Sequence, residues 1–155
     1  MPFQIHALEA QQFARLFALS DAELFERSAR RVTVDANPGF PCRVSLTDAA
    51  LGETVILLNF KHLIGATPYA ASHAIYVREG AVQAKPQRGE VPLVLSRRLL
   101  SVRGFGADQM MIAADVIEGA ELAARLPIMF ADPAIMFVDI HNARQGCFAA
   151  RATRD

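Results

Sequence analysis

The chain has 155 residues, 52% of them hydrophobic, and its 16 basic side chains balance 16 acidic ones. A chain of this length buries roughly 70% of its unfolded surface, so it is expected to be one domain over residues 1–155 that needs neither a disulfide nor a metal merely to fold. The charge balance lacks the basic excess of a nucleic-acid binder, and no apolar run approaches the ~20 residues of a membrane span.

Met1 to His6 has neither a charged region nor a long apolar stretch, so it does not read as a signal peptide. The 14 arginines, against only Lys61 and Lys85, together with 27 alanines, carry the codon signature of a GC-rich bacterial genome. A cytoplasmic location is expected, with Cys42 and Cys147 reduced rather than bridged.

In chain order, Phe3 to Leu8 alternates and reads as a strand. Phe13, Leu16 and Phe17 share one stripe of a helix over Glu9 to Leu19. Ser20-Asp21-Ala22-Glu23 is a capping box that opens a second short helix carrying Leu24 and Phe25. Arg31 to Val34 is a strand, stopped by the turn signal Asn37-Pro38-Gly39. Cys42 to Leu46 reads as a short extended segment.

Thr54 to Phe60 is a nearly continuous apolar run, as in a strand buried on both faces. Lys61 to Ser72, with Gly65 and Pro68, reads as a loop, and His73 to Val77 as the next strand. Gly80 to Glu90 is the most polar stretch and reads as a surface loop. Leu99 to Phe105 and Met110 to Val116 form a hairpin. Glu118 to Phe130 is helical, with Pro127 kinking it or starting a new turn. Ile135 to His141 and Cys147 to Ala152 close the chain as a second hairpin. The fold class is α+β: a largely antiparallel, partly mixed sheet of about six to eight strands with two helical segments.

The rare reactive side chains gather in three stretches: Pro41 to Ser45, His62 to His73, and Asp139 to Cys147. Strand parity places Phe137, Asp139 and His141 on one face, with Met136, Val138 and Ile140 on the core face. A carboxylate beside an imidazole fixes its tautomer and raises its basicity. Cys42, His73, Asp139, His141 and Cys147 are therefore the catalytic candidates. Either thiol would be the nucleophile, a histidine the base and Asp139 the orienter.

The intervals of 11 residues from His62 to His73 and 6 from His141 to Cys147 match no zinc spacing. No metal and no cofactor are expected. Arginines projecting from a sheet need an anionic partner, whether an internal carboxylate such as Asp115 or Asp139, or a ligand gripped bidentately. The candidate binding residues are Arg43, Asn59, Tyr69, Ser72, His73, Arg78, Arg103, His141 and Asn142.

The segments Pro38 to Leu46, Pro68 to Arg78 and His141 to Cys147 together resemble a family of small bacterial proteins known only as domain of unknown function 1203. The resemblance implies no activity, substrate or cofactor; its recurring segments coincide with the three stretches above. The preferred expectation is a small protein that binds an anionic small molecule or peptide through an Arg/His/Asn pocket. The alternatives are a Cys/His-dependent hydrolase or transferase, and a non-catalytic structural or homodimerising module. No nucleic-acid or membrane partner is expected.

Overall fold

A computed structural model describes residues 2–155, and among these eight strands form two antiparallel sheets rather than one. The larger sheet has the order β1-β8-β7-β5-β6, with β1 Phe3–His6, β5 Leu99–Phe105, β6 Met111–Glu118, β7 Phe137–Asn142 and β8 Phe148–Arg154. The smaller sheet has the order β2-β3-β4, with β2 Ala29–Thr33, β3 Thr54–Leu63 and β4 Ala71–Arg78. The mixed character is confined to one parallel bridge between Cys42 and Tyr76.

Each sheet covers its own core. One face of the larger sheet, with Ile5, Leu100, Val102, Val138, Ile140, Ala150 and Ala152, packs on α3 (Leu122–Phe130) through Leu122, Leu126, Met129 and Phe130. The short helix α2 (Leu93–Ser96), which local periodicity missed, adds Val94 and Leu95 to that core. Gly119 lies against α2 so closely that a Cβ would fall 2.1 Å from the Leu95 carbonyl oxygen, and only glycine fits there. The smaller sheet buries Ile56, Leu58, Ile75 and Val77 against Phe13, Leu24, Cys42 and Val44.

The capping box is as expected: the Glu23 amide donates to Ser20 Oγ, and the Ser20 amide donates to Glu23 at the start of α1 (Asp21–Glu26). Leu24 is buried, whereas Phe25 faces solvent. Residues 9–19 form two 3-10 segments, Ala10–Gln12 and Ala14–Ala18, instead of an α-helix. Phe13, Leu16 and Phe17 still turn onto the smaller sheet's core, so the apolar stripe is right and its pitch is not.

Two boundaries move. The segment after Pro41 is a turn rather than a strand: the Leu46 amide donates to the Cys42 carbonyl, and two bridges flank it. β3 runs on through His62 to Leu63, so the expected loop shrinks to residues 64–70. Pro127 sits inside α3, whose last turn is closed by the Ala131 amide donating to the Pro127 carbonyl. The polar stretch 80–90 has no regular structure, but Ala84 N–H to Val44 O and Gly89 N–H to Phe3 O tie it down.

Candidate metal centre and the adjoining cavity

The inner faces of the two sheets meet across a small group of imidazoles, buried at His62 and His141 and half-buried at His73. β3 pairs with β4 so that Phe60 faces His73, and a bulge between Lys61 and Leu63 re-aims His62. A second bulge, between Ile140 and His141, sets His141 opposite Phe148. Bulges bend a strand and redirect single side chains, which is why they recur beside functional sites.

His62 and His73 stack with ring centroids 4.8 Å apart, and His141 meets them edge-on at 4.9 and 5.1 Å. Phe148 stacks on the far side of His62 at 5.0 Å. One ligand nitrogen from each histidine lies within 4.8 Å of the other two.

The rest of each ring explains which nitrogen is free. His62 Nδ1 donates to Asp139 Oδ2 at 3.1 Å, and His141 Nδ1 donates to the Gly146 carbonyl at 3.0 Å. Both leave Nε2 with its lone pair, and those two atoms, with His73 Nδ1, are buried without a hydrogen-bond partner. Buried polar atoms are nearly always paired, so three unpaired nitrogens in one group of facing rings are a notable exception.

Burial pushes His141 down to about 3, against the opposing pull of the Gly146 carbonyl, with Arg103 lowering it further. Burial, then His62 and Arg103, also lowers His73. Neutral imidazole is the form that ligates metals.

Asp139 is fully buried, and burial alone would raise its carboxyl. The hydrogen bonds from His62 and Arg151 outweigh that and hold it below the ordinary range. Arg151 grips it with Nε at 2.6 Å and Nη2 at 3.0 Å, and its Nη2 also donates to the His62 carbonyl. The expected Asp139–His141 pair is thus corrected: the two share a face, but the imidazole that Asp139 orients is His62, from the other sheet. Neither Asp139 nor Asp115 partners Arg103, since Asp115 pairs with Arg125 and Arg103 Nε donates to Ser101 Oγ.

Beside this group lies a cavity of about 360 Å³ whose wall includes His73, Arg43, Arg98, Asn142 and Cys147. A larger cavity of about 500 Å³, lined in part by Asp48, holds no histidine or cysteine. Arg43 is 2% exposed. Its Nε donates to the Phe148 carbonyl at 2.8 Å, Nη1 to the Pro41 carbonyl at 2.6 Å and Nη2 to Cys147 Sγ at 3.1 Å. Burial lowers its pKa, with Cys147 pulling the other way. Arg98 is held by Asp48, at 2.5 Å from Nη2 and 3.1 Å from Nη1.

Of the residues singled out from sequence, Arg43, His73, Asn142 and Cys147 line this cavity, and His141 meets His73 in the imidazole group beside it. Asn59, Tyr69 and Ser72 are exposed and line no part of this cavity, and Arg78 pairs with Glu53. Cys42 is buried in the smaller core, where its sulfur accepts from the Ser45 and Arg78 amides. It lines no part of the 360 Å³ cavity. Neither cysteine sulfur hydrogen-bonds a histidine among the described residues, so no preformed thiol–imidazole dyad exists.

His62 falls outside the candidate residues because residues 61–72 read from sequence as a loop. The alternation of Phe60, Lys61 and His62, one side apolar or aromatic and the other charged, continues the strand and could have placed it.

Together these features define an α+β protein of two antiparallel sheets with a buried histidine cluster between them. The chain belongs to the family described as "Protein of unknown function (DUF1203)", matched over residues 39–154. No curated relative and no solved structure matches the chain. No helix among the described residues is long and apolar enough to cross a membrane.

Proposed function

We propose that this protein binds a divalent transition metal ion, with zinc as the reference ion, at His62, His73 and His141. Three imidazoles that each bring a ring nitrogen within 4.8 Å of the others, in a group where three ring nitrogens are buried without a partner, carry this reading. The donors fit: neutral imidazoles suit zinc, copper, iron or nickel rather than calcium or magnesium. The outer contacts fit as well, because ligating histidines characteristically donate their second nitrogen to a carboxylate or a carbonyl. His62 does so to Asp139, and His141 to Gly146.

Nitrogens bound tetrahedrally to zinc at 2.0–2.1 Å stand about 3.4 Å apart. Binding therefore draws the rings together by roughly 1 Å. Three protein ligands leave a fourth coordination position, the pattern of catalytic rather than structural zinc. A bound ion would polarise an oxygen ligand or acidify a water there. In that role Asp139 and the Gly146 carbonyl orient the rings, and Phe148 shields one side from solvent.

Chelator-stripped protein titrated with zinc against a chromophoric competitor should bind one equivalent, and cobalt should give a ligand-field spectrum. His62→Ala and His141→Ala should each abolish both signals, whereas the exposed His6→Ala should not. Binding that survives the loss of both buried histidines would overturn the assignment.

A second reading, of a small anion in the adjoining cavity, is supported by its lining, which includes Arg43 and Arg98 and no Asp or Glu. It expects a rise in melting temperature with phosphate or citrate that Arg98→Gln cancels.

A further inference from the structure

We propose that the cavity beside the histidines takes a small oxyanion, a carboxylate or a phosphate-type group, that accepts a hydrogen bond from His73 and so couples anion binding to metal binding. This rests on the metal reading above and joins it to the second reading. His73 is the residue common to both places: it is one of the three clustered imidazoles, and it lines the cavity.

A ligating histidine characteristically donates its second ring nitrogen to a carboxylate, a carbonyl or water. His62 gives its Nδ1 proton to Asp139, and His141 gives its own to the Gly146 carbonyl. His73 has no such partner among the described residues. Of its two nitrogens only Nδ1 is fully buried without a partner, so Nε2, which also makes no hydrogen bond, keeps some accessible surface. With the ion on the buried Nδ1, the proton of His73 sits on Nε2 and is left to be donated outward. Neither His62 nor His141 lines the cavity, so His73 is the ring that can reach an occupant there.

The wall of that cavity favours negative charge. Arg43 is 2% exposed, and its guanidinium meets two backbone carbonyls and the Cys147 sulfur but no carboxylate. A buried charge without an opposite charge against it is costly. Arg98 brings a second guanidinium whose charge repels that of Arg43. Asp48 answers Arg98 from outside the cavity, and no Asp or Glu lines the wall. An ion on the histidines adds further positive charge beside this wall, so the ion and an anion in the cavity stabilise each other. The volume of about 360 Å³ holds roughly a dozen non-hydrogen atoms, taking ~30 Å³ as the share of one water. That is the size of a small metabolite rather than of a peptide chain.

The test measures the zinc affinity of the full chain by competition in acetate, in sulfate and in chloride at matched ionic strength. Acetate and sulfate hold free zinc only weakly, so the metal stays available to the protein. Saturating acetate or sulfate should tighten zinc binding by about tenfold or more, the scale on which outer contacts of metal ligands act. Loading zinc should tighten the same anion by the same factor, because coupling between two binding sites is reciprocal. A larger effect of sulfate assigns a phosphate-type group, and a larger effect of acetate a carboxylate. Arg98→Gln should cancel the enhancement. If that variant fails to fold, the reciprocal measurement on the parent decides alone. Zinc that binds with equal affinity in all three salts overturns the coupling and leaves the metal reading standing. Absence of zinc binding overturns both. A cobalt spectrum that changes coordination when the anion is added makes the anion a direct ligand and overturns the role given to His73.

Discussion

The two faces of β7 are buried alike and built for opposite ends. Val138 and Ile140 face α3 in an apolar layer in which each side chain gains from leaving water. Asp139 and His141, one residue away on either side, face the smaller sheet at equal depth, 0% exposed. There burial costs stability: a carboxylate must be paired with Arg151 and His62, and imidazole nitrogens are left without partners. The first face explains why the chain folds. The second is a cost the fold carries, and a ligand that fills those nitrogens would offset it.

The sharpest way to separate the faces is to damage one and read the other. Ile140→Ala should lower unfolding stability by about 2–5 kcal/mol, as for buried aliphatic truncations in general. Urea denaturation measures it, and zinc stoichiometry should stay at one. Loss of metal binding in a folded Ile140→Ala would mean that the faces are not separate devices.

Asp139→Asn attacks the second face through the orienting contact. Removing an outer-shell carboxylate typically costs 10–100-fold in metal affinity, or about 1.4–2.7 kcal/mol. Competition titration should show that loss with the stoichiometry retained. An unchanged affinity would reduce Asp139 to a counter-ion for Arg151.

The smallest effect concerns a charge cluster that lies on neither face. Burial would raise the Asp48 carboxyl, but Arg98 first, then the Gly39 amide and Arg97, hold it below the ordinary value. A depressed carboxylate contributes stability above its unfolded pKa of about 3.9 and loses it as pH falls through the lower folded value. Asp48→Asn should therefore be less stable than the parent at neutral pH, with the gap in urea midpoint closing as pH drops below about 4. A gap that persists at low pH would assign the effect to packing rather than charge.

Much of the architecture was legible because strand periodicity is local. Parity in residues 136–141 separated Val138 and Ile140 from Asp139 and His141, and the Ser20–Glu23 capping box needs only four residues of context. The split into two sheets was not legible, because pairing between distant strands is set by which apolar faces find each other. The short helix Leu93–Ser96 spans too few residues for a period to show. The 3-10 segments kept the apolar stripe of residues 13–17 while abandoning the α-helical pitch.

For the site, the sequence by itself determined the inventory: which stretches hold His73, Asp139, His141 and Cys147, and which face of β7 is polar. Only the tertiary structure decided the partners. Asp139 meets His62 across 77 residues of chain, and Arg43 meets Cys147 across 104. Spacing along the chain therefore matched no metal motif, although three imidazoles converge in space. The physical reason lies in two β-bulges and a sheet-to-sheet packing. They depend on how the two cores pack against each other, and no local pattern of residues encodes that.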